Sequence, residues 1–303
     1  MSDEEFGCFR RLVEEEVVMA QRTDMPKVSH PLSDSDRVPQ SSKDRTAPRA
    51  LNLMSGSPTL PDLASTRLWL SSEMSAKERD VLEAAFSDVR MVNAGKDILK
   101  EGDRTASLHL LLDGWACRYK ATSDGARQIP ALLTPGDFCD LDALLFDRLD
   151  YGVTTLTSCT VAVVPLDTAR RISAQHPRIA AALWWLMAVE NSIVSEWTLC
   201  LGRRSALQHL AHLFCELLVR LAAAGRVEDN AYALPLTQEQ LADVLGLTAV
   251  HVNRTVQALR SKGLITIHRG KLTILDWPAL KALSDFRPGY LHPEGMRHLS
   301  EAA

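Results

Sequence analysis

The stretch Thr248 to Arg260, TAVHVNRTVQALR, sets Thr248, His251, Asn253, Arg254, Gln257 and Arg260 close together. These are side chains that read nucleic acid. Arginine presents paired N–H donors to the O6 and N7 acceptors of guanine, asparagine and glutamine match adenine, and all of them also bind phosphate. Elsewhere the sequence shows no nucleophile, base and orienter set, no phosphate-cradling glycine loop and no metal-ligand spacing, so catalysis is not expected.

The elements that must position these residues are legible around them. Thr237 offers an oxygen at a helix N-cap with Gln240 three residues on, and Leu241, Val244 and Leu245 repeat at helical spacing. Gly246 suits the left-handed conformation of a tight turn, and Thr248 caps a second helix whose apolar positions are Val252, Val256 and Leu259. Two short helices meeting at glycine make a helix-turn-helix, whose second helix enters the major groove. Leu264 to Ile267 and Lys271 to Leu275 are β-prone runs joined by His268, Arg269 and Gly270, which predicts a hairpin wing. The candidate DNA-binding set is therefore Thr237, Gln238, Thr248, His251, Asn253, Arg254, Gln257, Arg260, Arg269 and Lys271.

The charge distribution agrees. The chain of 303 residues has a net charge of -4, yet residues 203–275 hold nine Lys and Arg against five Asp and Glu. That +4 segment is where phosphates would lie. A composition 46% hydrophobic and 24% charged fits a soluble protein of two or more domains. The longest uncharged apolar run, Ile179 to Val189, is too short for a bilayer, and the acidic start MSDEE is unlike a signal peptide, so a cytoplasmic protein without membrane contact is expected. Six cysteines without close pairing read as buried free thiols.

In chain order, residues 1–62 are expected to be a disordered extension, rich in Ser, Pro, Asp and Arg beyond an acidic start. Residues 63–175 open with helical patterns, one capped by Ser75, and continue as short β-prone runs broken by turns at Ala94-Gly95, Glu101 to Asp103, Asp113-Gly114, Ser123 to Gly125 and Pro135 to Asp137. Such spacing predicts an antiparallel β-roll or jelly roll. Residues 176–202 form a long helix with a stripe of Leu183, Leu186, Glu190, Ile193 and Trp197, spaced like a coiled-coil seam and assigned to a dimer interface. Trp184, Met187 and Val194 make a second stripe, so the helix needs partners on two faces. Residues 203–284 hold a scaffold helix, the helix-turn-helix, the wing and a last helix capped by Asp276, and residues 285–303 are expected to be a flexible tail. The fold class is α+β.

A β-roll, a dimerisation helix and a C-terminal winged helix-turn-helix, in that order, resemble the Crp/Fnr family of bacterial transcription regulators over about residues 68–284. The resemblance is carried by Ala94 to Asp103, by Leu133-Thr134-Pro135-Gly136-Asp137-Phe138, and by Leu236 to Ile265. It implies a homodimer on a two-fold symmetric operator, a signal received at the roll, and contact with RNA polymerase where such a protein activates. In its cyclic-nucleotide-binding members Gly-Glu-Leu and then Arg-Ser-Ala follow this motif. Here Asp140-Leu141-Asp142 and Asp150-Tyr151-Gly152 stand instead, and two aspartates near a phosphate would repel it. Cyclic AMP is therefore not the expected effector, with Arg148 a weak substitute for the missing arginine. One N-terminal cysteine, Cys8, cannot hold an iron-sulfur cluster, while His109 or Cys117 is available in principle as a haem ligand, so the cofactor and the small-molecule effector stay unknown. Two other functions fit parts of the pattern: a cupin-type enzyme, which needs more histidines than the roll's single His109, and a small-molecule-binding module acting through protein contacts.

Overall fold

The computed structural model describes residues 74–292. The expected disordered extension at 1–62 and the last part of the expected tail, 293–303, lie outside the described residues.

Helix α1 (Ala76–Glu83) starts at Ser75, whose hydroxyl accepts from the Glu78 N–H while the Glu78 carboxylate accepts from the Ser75 N–H. Strands β1 (Asp88–Val92), β2 (Asp97–Leu99), β3 (Ser107–Asp113), β4 (Ala116–Ala121), β5 (Arg127–Leu133), β6 (Gly152–Thr155) and β7 (Cys159–Pro165) then build the expected roll. They form two antiparallel sheets, ordered β1-β7-β3 and β2-β6-β4-β5. Strands β3 and β6 are buried on both faces, because helices and loops cover what a simple sandwich would leave wet. The Asp113-Gly114 turn needs glycine: φ is +89°, and a side chain there would meet the Ser158 carbonyl and the Cys159 sulfur.

Helix α2 (Leu166–Gln175), which buries Leu166, Ala169 and Ile172 at helical spacing, closes the roll. Pro177 pushes His176 out of the helical region, to φ -128° and ψ 87°, and the chain restarts as α3 (Pro177–Arg203), 27 residues or about 40 Å long. Its inward stripe serves two cores. Leu183 and Leu186 pack with the roll, whereas Ile193 and Trp197 pack with the C-terminal domain. This corrects the expected seam: Leu183, Leu186, Ile193 and Trp197 are already buried by their own chain, and Glu190 pairs with Arg118 of β4 instead of setting a register. The outward stripe is Trp184, Met187, Asn191, Val194, Thr198 and Leu201, with Trp184, Val194 and Leu201 40–49% exposed.

The C-terminal domain comprises α4 (Ala206–Ala223), β8 (Ala231–Ala233), α5 (Gln238–Leu245), α6 (Ala249–Ser261), β9 (Ile265–His268), β10 (Lys271–Ile274) and α7 (Trp277–Ser284). Among the described residues α4 is the one helix long and apolar enough to cross a membrane, and it is 67% buried as the scaffold of this domain. Strand β8 adds a third strand to the wing, ordered β8-β10-β9. The tail expected to be loose from residue 285 is packed as far as Leu291: Phe286 and Leu291 are buried, and the Tyr290 hydroxyl donates to Glu216 at 2.7 Å. Trp115, Cys117, Ile129 and Leu132 of the roll share the C-terminal core, so residue 203 is no packing boundary.

Candidate nucleic-acid interface

The reading helix is aimed by local bonds the sequence dictates. Thr237 Oγ1 accepts from the Gln240 N–H at 3.1 Å, and Gln240 Oε1 accepts from the Thr237 N–H at 2.9 Å. Gly246 ends α5 at φ 64°, and Thr248 Oγ1 accepts from the His251 N–H at 3.2 Å to start α6. Leu241, Val244, Leu245, Val252 and Leu259 are buried in the C-terminal core, which fixes how the two helices cross. Thr255, buried on the same side, donates its hydroxyl to the His251 carbonyl.

The opposite face of α6 is open. Val250, Arg254, Gln257 and Ser261 follow at steps of four, three and four along one face, and Val250 is 81% exposed. Arg254 is exposed, with no hydrogen bond or ion pair among the described residues. Arg260 is exposed and reaches Gln257 Oε1 at 3.5 Å, while His251 and Asn253 are half-buried at the flank of the stripe. Thr237 and Thr248 already use their oxygens as caps, so of the hydroxyl only the proton is left for a phosphate. Gln238 is exposed at the first turn of α5. In the wing, Arg269 (φ 50°) and Gly270 (φ 75°) form a two-residue hairpin turn, and Lys271 lies 3.8 Å from Glu228 in an exposed ion pair. The structure thus gathers Arg254 and Gln257 on one face with Arg260 at its edge, and sets Arg269 and Lys271 apart at the wing.

The back of the reader is held by the roll through contacts that sequence reasoning missed. Arg127 of β5 reaches Asp243 of α5 at 2.6 Å, and Gln128 donates to the Val244 carbonyl at 3.0 Å. Deeper, Arg220 of α4 donates to the Leu132 carbonyl at 2.7 Å and to Asp137 at 2.8 Å, and pairs with Glu216 at 3.2 Å. Asp137 belongs to the Pro-Gly-Asp-Phe motif and also accepts from the N–H and hydroxyl of Thr134, so the motif grips the DNA-binding domain. The available signal was Glu216 and Arg220 at helical spacing on an otherwise apolar helix face.

The roll itself is closed by charge. Arg118 of β4 donates to both carboxylate oxygens of Glu190 on α3, at 2.8 and 3.3 Å, and stacks on Tyr151 at 4.8 Å from the ring centre. Burial lifts the Glu190 carboxyl above its ordinary range while Arg118 pulls it down. The cavity beside these two pairs, lined by Arg118, Asp137, Glu190, Val194 and Arg220, measures about 30 Å³, room for a water or two. Asp140 does not face it as an unpaired charge: fully buried, it accepts from His109 Nδ1 at 2.7 Å and from the His109 N–H at 2.8 Å. That corrects the expectation that Asp140 repels a phosphate, and Asp150 is exposed beside Lys120. Arg148 is exposed and donates to the Gly102 carbonyl. His109 also meets Arg90 through Nε2 at 2.8 Å, and burial pushes the Cys117 thiol up to about 12, so neither offers a ready haem ligand.

With this geometry in place, comparison with known proteins is direct. A family model described as a cyclic nucleotide-binding domain matches residues 89–176, and one described as a Crp-like helix-turn-helix domain matches residues 208–283. The nitrogen fixation regulation protein FixK of Bradyrhizobium diazoefficiens is 30% identical over 192 residues, covering 63% of this chain and 80% of that protein. The transcriptional activator protein FnrL of Cereibacter sphaeroides is 30% identical over 181 residues, covering 59% of this chain and 72% of its own length. Among solved structures, FixK2 from Bradyrhizobium japonicum superposes with a TM-score of 0.60 at 23% identity, over 65% of this chain and 96% of that one.

Proposed function

The chain belongs to the Crp/Fnr family of transcription regulators, and from that premise we propose that it acts as a homodimer that sets α6 of each protomer into successive major grooves of a palindromic operator. The observation that carries this reading is the exposed stripe of α6, in which Val250, Arg254, Gln257 and Ser261 face outward with exposed Arg260 at its edge, while Val252 and Leu259 are buried in the core. The outward stripe of α3 supplies the dimer seam: Trp184, Met187, Asn191, Val194, Thr198 and Leu201 alternate at threes and fours over its length. Its relatives are named as regulators, which supports a role in recognition rather than catalysis, in the cytoplasm where DNA and RNA polymerase are reached.

A signal at the roll has a short route to the reader. The Arg118–Glu190 pair ties β4 to α3, and the Arg220–Asp137 pair ties α4 to the loop after β5. Any ligand that shifts either pair changes how the two α6 helices are presented. A cyclic nucleotide is a poor candidate for that ligand. The cavity of about 30 Å³ beside these pairs falls far short of the several hundred that small-molecule pockets have, and ion pairs line it. Sequencing of genomic fragments retained by the purified protein tests the function. A shared two-fold symmetric motif with half-sites one helical turn apart supports it, and fragments without any common motif oppose it.

A further inference from the structure

We propose that Glu196, Cys200 and His212 form a binding site for a divalent transition metal of the zinc class, at the corner where α3 passes into α4. Glu196 and Cys200 are four residues apart and share one face of α3, and His212 reaches them from α4. The three ligand atoms lie within 4.8 Å of one another, and His212 Nε2 is 3.3 Å from Glu196 Oε1. Metal–ligand bonds of about 2.0–2.3 Å set tetrahedral donors roughly 3.3–3.8 Å apart, so small side-chain adjustments complete the site. Three protein ligands leave the fourth position open. Thiolate and imidazole together favour zinc-class ions over magnesium or calcium, which take oxygen.

The imidazole carries the second, independent observation. His212 is 1% exposed, and among the described residues neither of its ring nitrogens has a hydrogen-bond partner, the 3.3 Å approach of Nε2 to Glu196 lacking hydrogen-bond geometry. A buried polar group in that state is costly, and few groups satisfy an imidazole lone pair as well as a metal ion. Tyr290 stacks on the ring at 5.8 Å and Phe286 meets it edge-on at 5.2 Å, so its orientation is fixed and its surroundings are apolar. The Cys200 thiol releases its proton to solvent as it takes the metal.

Arg204 explains how the site is balanced without an ion. Its Nη1 lies 2.7 Å from Glu196 Oε1 and 2.7 Å from Cys200 Sγ, so a positive charge already occupies the cation's place. Arg204 is also the C-cap of α3, next to the Ser205 that caps α4. A metal that displaces it therefore acts on the joint between the dimer helix and the DNA-binding domain. That last consequence rests on the regulator reading, whereas binding itself does not.

The test uses the full-length, reduced, metal-free protein titrated with Co²⁺ as a spectroscopic probe. Expected are a thiolate-to-cobalt charge-transfer band, the visible bands of a four-coordinate site saturating at one equivalent, and their loss on adding Zn²⁺. Cys200→Ser and His212→Gln each weaken Co²⁺ binding by more than about a hundredfold, because they remove ligands rather than the groups that orient them. Cys8→Ser leaves the titration unchanged. Arg204→Gln removes the competing cation and tightens Co²⁺ binding about tenfold, a gain that misfolding cannot produce. Absence of the bands in the natural protein, their survival in Cys200→Ser, or weaker binding in Arg204→Gln overturns the site. Zn²⁺ binding that leaves retention of genomic fragments unchanged overturns only the regulatory consequence.

Discussion

Replacing Arg220 with methionine keeps most of the side-chain stem but takes a positive charge from between two carboxylates. Asp137 is 7% exposed and Glu216 is fully buried, and both keep hydrogen bonds after the change, Asp137 from Thr134 and Glu216 from Trp197 and Tyr290. What is lost is charge compensation in a dry place, together with the bond to the Leu132 carbonyl. Breaking one partner from a buried pair costs about 3–5 kcal/mol, against about 0.2–1 kcal/mol for a surface pair. Arg127→Met is the internal control, since Arg127 and Asp243 are 36% and 26% exposed. In urea, with a slope of about 3 kcal/mol per molar, Arg220→Met should lower the unfolding midpoint by roughly 1–1.7 M and Arg127→Met by under about 0.3 M. Asp137→Asn in the Arg220→Met background should cost much less than it does alone, a coupling of about 1–3 kcal/mol. Equal midpoints for the two arginine variants, or strict additivity with Asp137→Asn, would refute the claim that this pair clamps the roll to the DNA-binding domain.

Other expectations follow from the same geometry. Burial, with Arg204 adding to it, holds His209 neutral down to about 4, whereas the unfolded chain takes up its proton near 6.5. Its contribution to stability is therefore full above that value and lost as pH falls toward 4, by about 2 kcal/mol at pH 5 at about 1.4 kcal/mol per unit. His209→Gln should flatten the unfolding midpoint against pH over that window, and an unchanged slope counts against it. Val194→Asp, on the outward stripe of α3, should give a monomer at micromolar concentration by sedimentation, while Ser195→Asp, exposed beside it, should leave the dimer; a dimeric Val194→Asp protein would exclude this seam. Calorimetric titration with cyclic AMP or cyclic GMP should show no binding at micromolar concentration, and a low-micromolar dissociation constant would contradict the reasoning from the small, ion-pair-lined cavity.

The reading head was legible because its signals are local. Caps at Thr237 and Thr248, the left-handed Gly246 and the Arg269-Gly270 turn are each set by a few neighbouring residues, and the structure has all of them. Long-range choices were not. Helix α3 carries two apolar stripes offset by one residue, and its sequence alone does not say which one meets its own chain. The spacing alone points to Leu183, Leu186, Glu190, Ile193 and Trp197 as the seam, whereas the four apolar residues of that set are buried in the two cores and Glu190 pairs with Arg118. Strand β8 is three residues long, too short for a period-two pattern, and exists because β10 pairs with it. The Arg220–Asp137 clamp joins residues 83 positions apart, so the Glu216 and Arg220 spacing marks a buried charge on α4 but does not name its partner on the roll. Asp140 is alike, since the partner that neutralises it, His109, lies 31 residues back.

Affinity of Arg254→Ala for a recovered operator and for random DNA, at one salt concentration, tests the central claim most directly. Arg254 sits in the second turn of α6, exposed beside Val250, whose methyls have no acceptor for a cytosine amino group but can meet a thymine methyl. The account predicts a loss of about 1–3 kcal/mol on the operator with little change on random DNA, while Lys271→Ala at the wing weakens both alike. An Arg254→Ala protein that loses the same affinity on both DNAs would show a phosphate contact only, and would contradict base reading by α6.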